Sequence, residues 1–406
     1  MSVCSETFHD DARTIERHDG QGLGGNRALM AICLAEFGAM ICFYLLFPVV
    51  PLYALAKGAG EASAGLVTGT LMVSTVAMEL AMPHLSARVG YRRLLAGGLL
   101  LLGLPALVLG VASGMAMILA VSLLRGLGLG IVMVAGSTLV AAVVPPARRG
   151  EALGLYGAAS GVPAVGALSL GPWLAGEIGY MPLFAIGAVA ALAGLAGIAQ
   201  LPGGIDRPIV TCGGMGCHMK AGVIHPCALL HPCAVLHPCA VLMAVAMMAG
   251  VVTTFLPIVF APVPGTLLSL SLLLHALAAI TTRWLAGRFA KPLGQARWLS
   301  LGALAGVLGI TAIAAFDGPP AIVAGMILIG AGFGIVQNTS LALMFARVPA
   351  SNFVGVSALW NLAYDAGLGV GAALFGLLFG AIGHQLALAL FGGLVLAALC
   401  VRPKAK

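Results

Sequence analysis

Charge is scarce in this sequence. Only 8% of its 406 residues are Asp, Glu, Lys or Arg, whereas an ordinary soluble domain carries about a quarter. So few charges cannot cover a water-facing surface, which excludes a soluble globular protein. Catalytic signatures are lacking as well. There is no phosphate-binding glycine loop ending in Lys-Ser or Lys-Thr, and no Ser or Cys stands in a nucleophile motif. An enzyme is not expected. What is present is hydrophobic: 61% of the residues are apolar, in runs of about twenty, each long enough to cross a bilayer. In lipid the backbone must satisfy its own polar groups, and runs of this length do so as helices rather than barrel strands.

The fold class expected is all-α integral membrane. The runs predict helices near 29–53, 62–82, 94–113, 117–143, 152–176, 180–201, 240–262, 265–286, 298–316, 320–346, 353–381 and 384–401. That makes twelve, divided into a bundle over 29–201 and a bundle over 240–401, joined by a central loop at 202–239. Residues 1–28 are polar and lack the basic start followed by an apolar stretch of an export signal, so they are expected to form a tail. Residues 402–406 form a second tail.

Basic residues collect in short cytoplasmic loops. With the amino terminus inside, seventeen of the twenty Lys and Arg fall on the cytoplasmic side and only Lys57 outside, while Arg125 and Arg283 lie within helices. Both termini are therefore expected in the cytoplasm, in a plasma membrane of the bacterial inner-membrane kind. The net charge of +7 then reflects topology and calls for no nucleic-acid partner.

The two bundles repeat one another. Pro83-His84-Leu85-Ser86-Ala87-Arg88-Val89-Gly90 follows helix 2, and Gly287-Arg288-Phe289-Ala290-Lys291-Pro292-Leu293-Gly294 follows helix 8, an offset of 204 residues. The same offset places Gly126-Leu127-Gly128-Leu129-Gly130 on Gly330-Ala331-Gly332-Phe333-Gly334, and Leu155-Tyr156 on Leu359-Trp360. Halves that point the same way across the membrane are related by an axis along the bilayer normal.

On these residues the chain resembles the major facilitator superfamily from about 28 to 401. That family's loop between helices 2 and 3 reads roughly Gly-x-Leu-Ala-Asp-Arg-x-Gly-Arg-Arg. Leu85, Arg88, Gly90 and Arg92 match, with Arg93 following, while Ala87 replaces the acid that helps latch the family's cytoplasmic side. In the second half Gly287, Arg288, Ala290 and Gly294 fit and Lys291 replaces the acid. Helix 5 carries Gly157, Gly166 and then Gly171-Pro172-Trp173-Leu174-Ala175-Gly176, which looks like the family's antiporter motif. Small residues also serve as ordinary helix-packing surface. The resemblance implies an exporter of the drug/proton-antiporter branch, driven by a proton gradient without a bound cofactor and working as a monomer.

Ionisable groups within the membrane are costly and mark function by default. Glu36 in helix 1 needs a partner or a proton and is a candidate proton carrier. Arg125 opens Arg-Gly-Leu-Gly-Leu-Gly, similar to the helix-4 arginine motif of proton-coupled members, where an arginine favours deprotonation of a nearby acid. Asp365 completes this proton-coupling set. Asn361 and Asp365 are four apart and share a helix face. Gln337 and Asn338 add polarity to helix 10. Trp360, Tyr364 and Phe43 suit the wall of a cavity for an amphipathic ligand and equally suit a packed core. Glu79 and Arg283, again 204 apart, read as gating or packing charges, together with Arg88, Gly90, Arg92, Gly166, Gly171 and Pro172 and with Gly287, Arg288 and Gly294. For each polar residue the plain alternative is a buried contact that fixes helix packing.

The central segment stands apart. Cys212, Cys217 and His218 precede three tandem hexapeptides that begin His225-Pro226-Cys227, His231-Pro232-Cys233 and His237-Pro238-Cys239. Thiolate and imidazole together suit Cu(I) or Zn(II). Proline at every sixth position disfavours a regular helix, and extended geometry would return the copies to one face. A perfect short repeat is also what duplication of a coding unit leaves, and the spacing matches no zinc-finger pattern. Met243 and Met247 resemble the methionine pair of copper-importing members of the superfamily, although their His-x-x-x-Met appears here as His275 followed by Ala279. Three readings are thus open: a proton-coupled exporter of a small amphipathic organic compound, an importer of copper or another small solute, and a non-transporting metal-sensing membrane protein.

Overall fold

The computed structural model describes residues 22–112, 114–145, 148–199, 201, 232–260, 263–316, 318–348 and 353–401. Its regular structure is helical throughout. The first span is α1 (Gly22–Leu46), continued after a short turn by a two-turn helix at Val49–Ala56. Then come α2 (Glu61–Val89), α3 (Tyr91–Val108), α4 (Met115–Val143), α5 (Arg149–Ile178) and α6 (Tyr180–Ala199). The second set is α7 (Pro232–Val259), α8 (Gly265–Leu293), α9 (Gln295–Ala315), α10 (Pro319–Phe345), α11 (Phe353–Ile382) and α12 (His384–Cys400). Among the described residues eleven spans are long and apolar enough to cross a membrane; α12 is apolar but has 17 residues.

Most boundaries lie within a few residues of those read from the hydrophobic runs. α1 begins earlier, at Gly22, α2 and α8 run on to Val89 and Leu293, and α7 begins at Pro232 and not near 240, so the third hexapeptide is helical. Pro232 stands at the first helical position, where its missing N–H is an orphan in any case. Pro238 costs one interior hydrogen bond, which membrane helices tolerate when neighbours re-satisfy the freed carbonyl. The turns follow local chemistry. Gly90 and Gly294 have φ of 83° and 82°, and Gly179 and Gly383 have 81° and 77°. Each pair is 204 residues apart, and each member reverses the chain in the left-handed region where a Cβ is strained.

The repeat is also a repeat of contacts. In the first half α1 packs on α5 and α6, α4 on α2 and α3, and α3 on α6. In the second half α7 packs on α11 and α12, α10 on α8 and α9, and α9 on α12. The glycine series explain the close approach. A Cβ at Gly126 would meet the Leu71 carbonyl and one at Gly130 the Thr75 carbonyl; 204 residues on, Gly330 abuts the His275 carbonyl and Gly334 that of Ala279. Where lipid removes any hydrophobic drive between helices, such backbone proximity supplies the dispersion contact that holds them.

The halves meet along two seams that are images of one another, α2 with α11 and α5 with α8, and the first is the more extensive. Along it Gly65 lies on Ala372, Gly69 on Gly369 and Ala373, and Gly376 on Glu61. The Thr68 and Thr254 hydroxyls also meet across the halves, at 3.2 Å. By contrast, a Cβ at Gly157, Gly161 or Gly166 of α5 would touch nothing. Within the apolar stretch of each helix 89% of α7 is buried and 22% of α5, so α7 is packed on all sides while α5 leaves much of its surface open.

Gly65→Ala should therefore destabilise the protein by about 1–3 kcal/mol, the usual cost of overpacking, because its Cβ meets backbone that cannot turn aside. Gly97→Ala, at a position with open space, is the control. Thermal unfolding of the two purified variants checks this, with a lowered midpoint expected for the first alone.

Candidate functional site

Six helices from both halves, α1, α5, α7, α8, α10 and α11, surround a central cavity with about 760 Å3 of free space, its open mouth included. Its enclosed part is about 130 Å3, smaller than the range of about 300–1,000 Å3 usual for drug-sized ligands. Its walls are aromatic. On α1, Phe43 contacts Tyr44 at 4.8 Å and Phe47 at 5.1 Å between ring centroids. Across the other half His275, Phe333 and Tyr364 line the cavity and stack on one another, and Trp360 extends the stack beyond the lining, with centroids 6.4, 5.7 and 5.8 Å apart and interplanar angles of 22°, 24° and 5°. The sequence builds it simply. Trp360 and Tyr364 are one helical turn apart on α11, and the close α8–α10 contact at Gly330 carries His275 beside α10. Trp360 Nε1–H donates to Ser340 Oγ at 3.0 Å, and Tyr364 is hydrogen-bonded to Gln337. The charged side chain lining the cavity is Arg283.

Glu36 is sealed beside this cavity. It is 1% exposed, and its two oxygens accept from Tyr156 Oη–H at 2.7 Å and Ser160 Oγ–H at 2.6 Å, both on α5. Gly136 of α4 makes room for the Tyr156 ring, since a Cβ there would strike its hydroxyl end. Among the described residues no cation pairs with Glu36. Arg125 is fully buried elsewhere on α1's neighbour α4, with Nη2 donating to the Cys42 carbonyl at 3.5 Å while Nε and Nη1 have no hydrogen-bond partner among the described residues. The proposed coupling residues thus occupy three places rather than one cluster.

The third place is the seam between the halves. Asp365 of α11, 4% exposed, faces Glu79 of α2 within hydrogen-bonding reach. Ionised carboxylates are acceptors only, so a hydrogen bond between these two requires a proton. Asp365 Oδ2 is buried and has no hydrogen-bond partner among the described residues.

The remaining expected residues are dispersed. Asn338 packs against Gly287 at the α8–α10 contact, and Asn361 is exposed; neither lines the cavity. Arg88 is exposed, Arg92 donates to the Ala199 carbonyl at 3.5 Å, and Arg288 lies over the rings of Trp284 and Phe289. Gly171 abuts the Leu45 carbonyl, and Pro172 is interior to α5. His275 lines the cavity with its Nδ1 3.3 Å from the Met326 carbonyl. Met243 and Met247 lie where Gly367 and Gly371 of α11 press on α7, away from the cavity lining. Cys212, Cys217, His218, His225, Cys227 and His231 fall outside the described residues. Cys233 and His237 stand in the first turns of α7, and Cys239 there is buried. Among the described residues no three His, Cys, Asp or Glu are grouped to hold a metal. Tyr156, Ser160, Tyr44 and Phe333 were not singled out as site residues in the sequence. Tyr156 carried a signal, its repeat position shared with Trp360: each reaches a polar group within its own half.

The family model of the Major Facilitator Superfamily matches residues 32–208. Three solved transporters share the fold. A bacterial homologue of the human lysosomal transporter Spinster, inward-facing and unoccupied, is 15% identical with a TM-score of 0.77, covering 94% of this chain and 96% of its own. A mutant of the nucleoside transporter NupG is 12% identical with a TM-score of 0.74, over 92% and 98%. A mutant of the peptide transporter POT in complex with sulfate is 18% identical with a TM-score of 0.72, over 91% and 92%. No curated protein matches the sequence. The family model covers less than half of the chain, and the three solved structures show that almost the whole chain shares their fold, with apolar helices long enough for a multi-pass membrane protein.

The Glu36 geometry makes a stability forecast. Glu36→Gln keeps an acceptor for the Tyr156 and Ser160 hydroxyls and should cost under about 1 kcal/mol, whereas Glu36→Leu leaves Ser160 without this acceptor and Tyr156 with the longer contact to the Met133 carbonyl at 3.4 Å, and should cost about 1–3 kcal/mol. Thermal unfolding of the purified variants distinguishes the two.

Proposed function

We propose that this chain exports a small amphipathic organic compound in exchange for protons, by alternating access of its two halves around the central cavity. The observation that carries this reading is the Glu79–Asp365 contact. It lies between the halves, and Asp365 follows Tyr364, which lines the cavity. A shared proton holds α2 to α11. Its loss leaves two like charges in a medium of low dielectric, where repulsion is strong, and so favours separation of that seam. A ligand that displaces the Tyr364 ring changes the same balance, which is the reciprocal coupling that exchange requires. Tyr44, Tyr364 and Arg283 are the other titratable or charged groups facing this region.

Direction rests on α5. Its glycines at 157, 161 and 166 have open space beside them, which leaves them free to receive α8 in the alternate state, as the antiporter-like motif implies. The excess of basic residues on one side supports cytoplasmic termini and an inner-membrane location, and the single-chain cavity is complete in a monomer. Of the residues behind the copper-importer reading, His275 is the one among the described residues that lines the cavity.

In liposomes with an imposed pH gradient, addition of a transported amphipathic compound should move protons, read by an internal pH-sensitive dye. Asp365→Asn should abolish that proton movement while the protein still binds the compound. No proton movement with any organic compound tested, together with saturable Cu(I) uptake, would overturn the reading.

A further inference from the structure

Glu79 and Arg283 occupy the same position of the two halves, and so do Gly161 and Asp365, each pair being separated by 204 residues. The seams are equivalent too, α2 with α11 and α8 with α5. At the first seam Glu79 therefore has Asp365 across from it. At the second, Arg283 has Gly161 in the equivalent place, and both line the central cavity. A glycine there leaves room where the other seam has a carboxyl, and it leaves the guanidinium without a protein carboxylate among the described residues. The rest of the lining brings no acid either. Glu36 is turned to Tyr156 and Ser160, and Asp365 to Glu79.

The geometry points to a planar aromatic organic anion as the ligand of this cavity, with its carboxylate on Arg283 beside Gly161 and its ring between the two aromatic walls. The charge argument and the ring argument are independent. A guanidinium presents a planar fork of donors that matches a carboxylate in two hydrogen bonds. Phe43, Tyr44 and Phe47 form one wall and His275, Phe333 and Tyr364 the other, and they come from opposite halves, so a flat ring placed between them contacts both. Gln337, which also lines the cavity, supplies an amide for a ring hydroxyl or for the second carboxylate oxygen. This inference rests on the transport reading for its biological sense, but binding alone tests it.

Isothermal titration of the purified protein with benzoate, 4-hydroxybenzoate and 2-naphthoate, each paired with its neutral amide, and with the lipophilic cation tetraphenylphosphonium, is the experiment. At least one acid should bind about tenfold or more tighter than its amide, the difference expected for a hydrogen bond to a charged group. Arg283→Gln should remove that preference and Arg283→Lys should retain part of it. Phe333→Leu should weaken acid and amide alike. Equal binding of every acid and its amide, no binding of any acid, or tighter binding of the cation would each overturn the inference, and the wild-type comparison does so even if a variant fails to fold. Acid binding without proton movement in liposomes would instead overturn the exchange mechanism and leave this assignment standing; proton-coupled movement of the cation without acid binding would do the reverse.

Discussion

Two apolar bundles in hydrocarbon gain nothing from hiding their surfaces, because lipid tails are as apolar as leucine. What joins the halves must then be close packing and polar contact, and the α2–α11 seam supplies both. Gly65, Gly69, Gly369 and Gly376 bring the two backbones together, and farther along the same pair of helices Glu79 meets Asp365. The cavity depends on this arrangement. With α2 and α11 drawn tight, the equivalent α5–α8 seam is the looser one, and the space beside Gly161 stays open.

The frame is symmetric and the chemistry is not. One shift of 204 residues reproduces the chain reversals at Gly90 and Gly294, the glycine contacts at Gly126 and Gly330 and the order of helix pairings. On that frame the first half buries Glu36 with its hydroxyl donors and Arg125 against Cys42, while the second half carries the ring stack from His275 to Trp360. Charge reversal at one repeat position, Glu79 against Arg283, gives the two seams different tasks. In the proposed mechanism one holds a proton between protein carboxyls and the other presents a cation to the cavity.

Most of the frame was legible in the sequence, since hydrophobic runs in lipid have few structural solutions and glycine spacing marks close helix contacts. The start of α7 was not, because the prolines of the hexapeptides read as helix breakers although Pro232 sits where a helix accepts one. The site was legible residue by residue but not in its pairings. Asp365 and Glu36 stood out as intramembrane acids, yet nothing in spacing along the chain joins Glu79 to Asp365 on separate halves, or Glu36 to Tyr156 and Ser160 on another helix. Arg283 reads from its offset to Glu79 as a gating or packing charge, and the fold adds that it lines the cavity. Asn338 and Asn361, polar in pattern, lie outside that lining because helix rotation, which the local pattern of these apolar helices leaves undetermined, points them elsewhere.

The central claim is that a proton shared between Glu79 and Asp365 sets which seam is closed. Pulsed electron spin resonance between labels on Leu153 of α5 and Phe289 of α8, both exposed, in a background free of the nine native cysteines, measures the second seam directly. Two distance populations are expected, with the shorter gaining as the pH is raised and the shared proton is withdrawn, and with Asp365→Asn showing no such response. A single distance indifferent to pH, or an unchanged pH response in Asp365→Asn, would contradict the account.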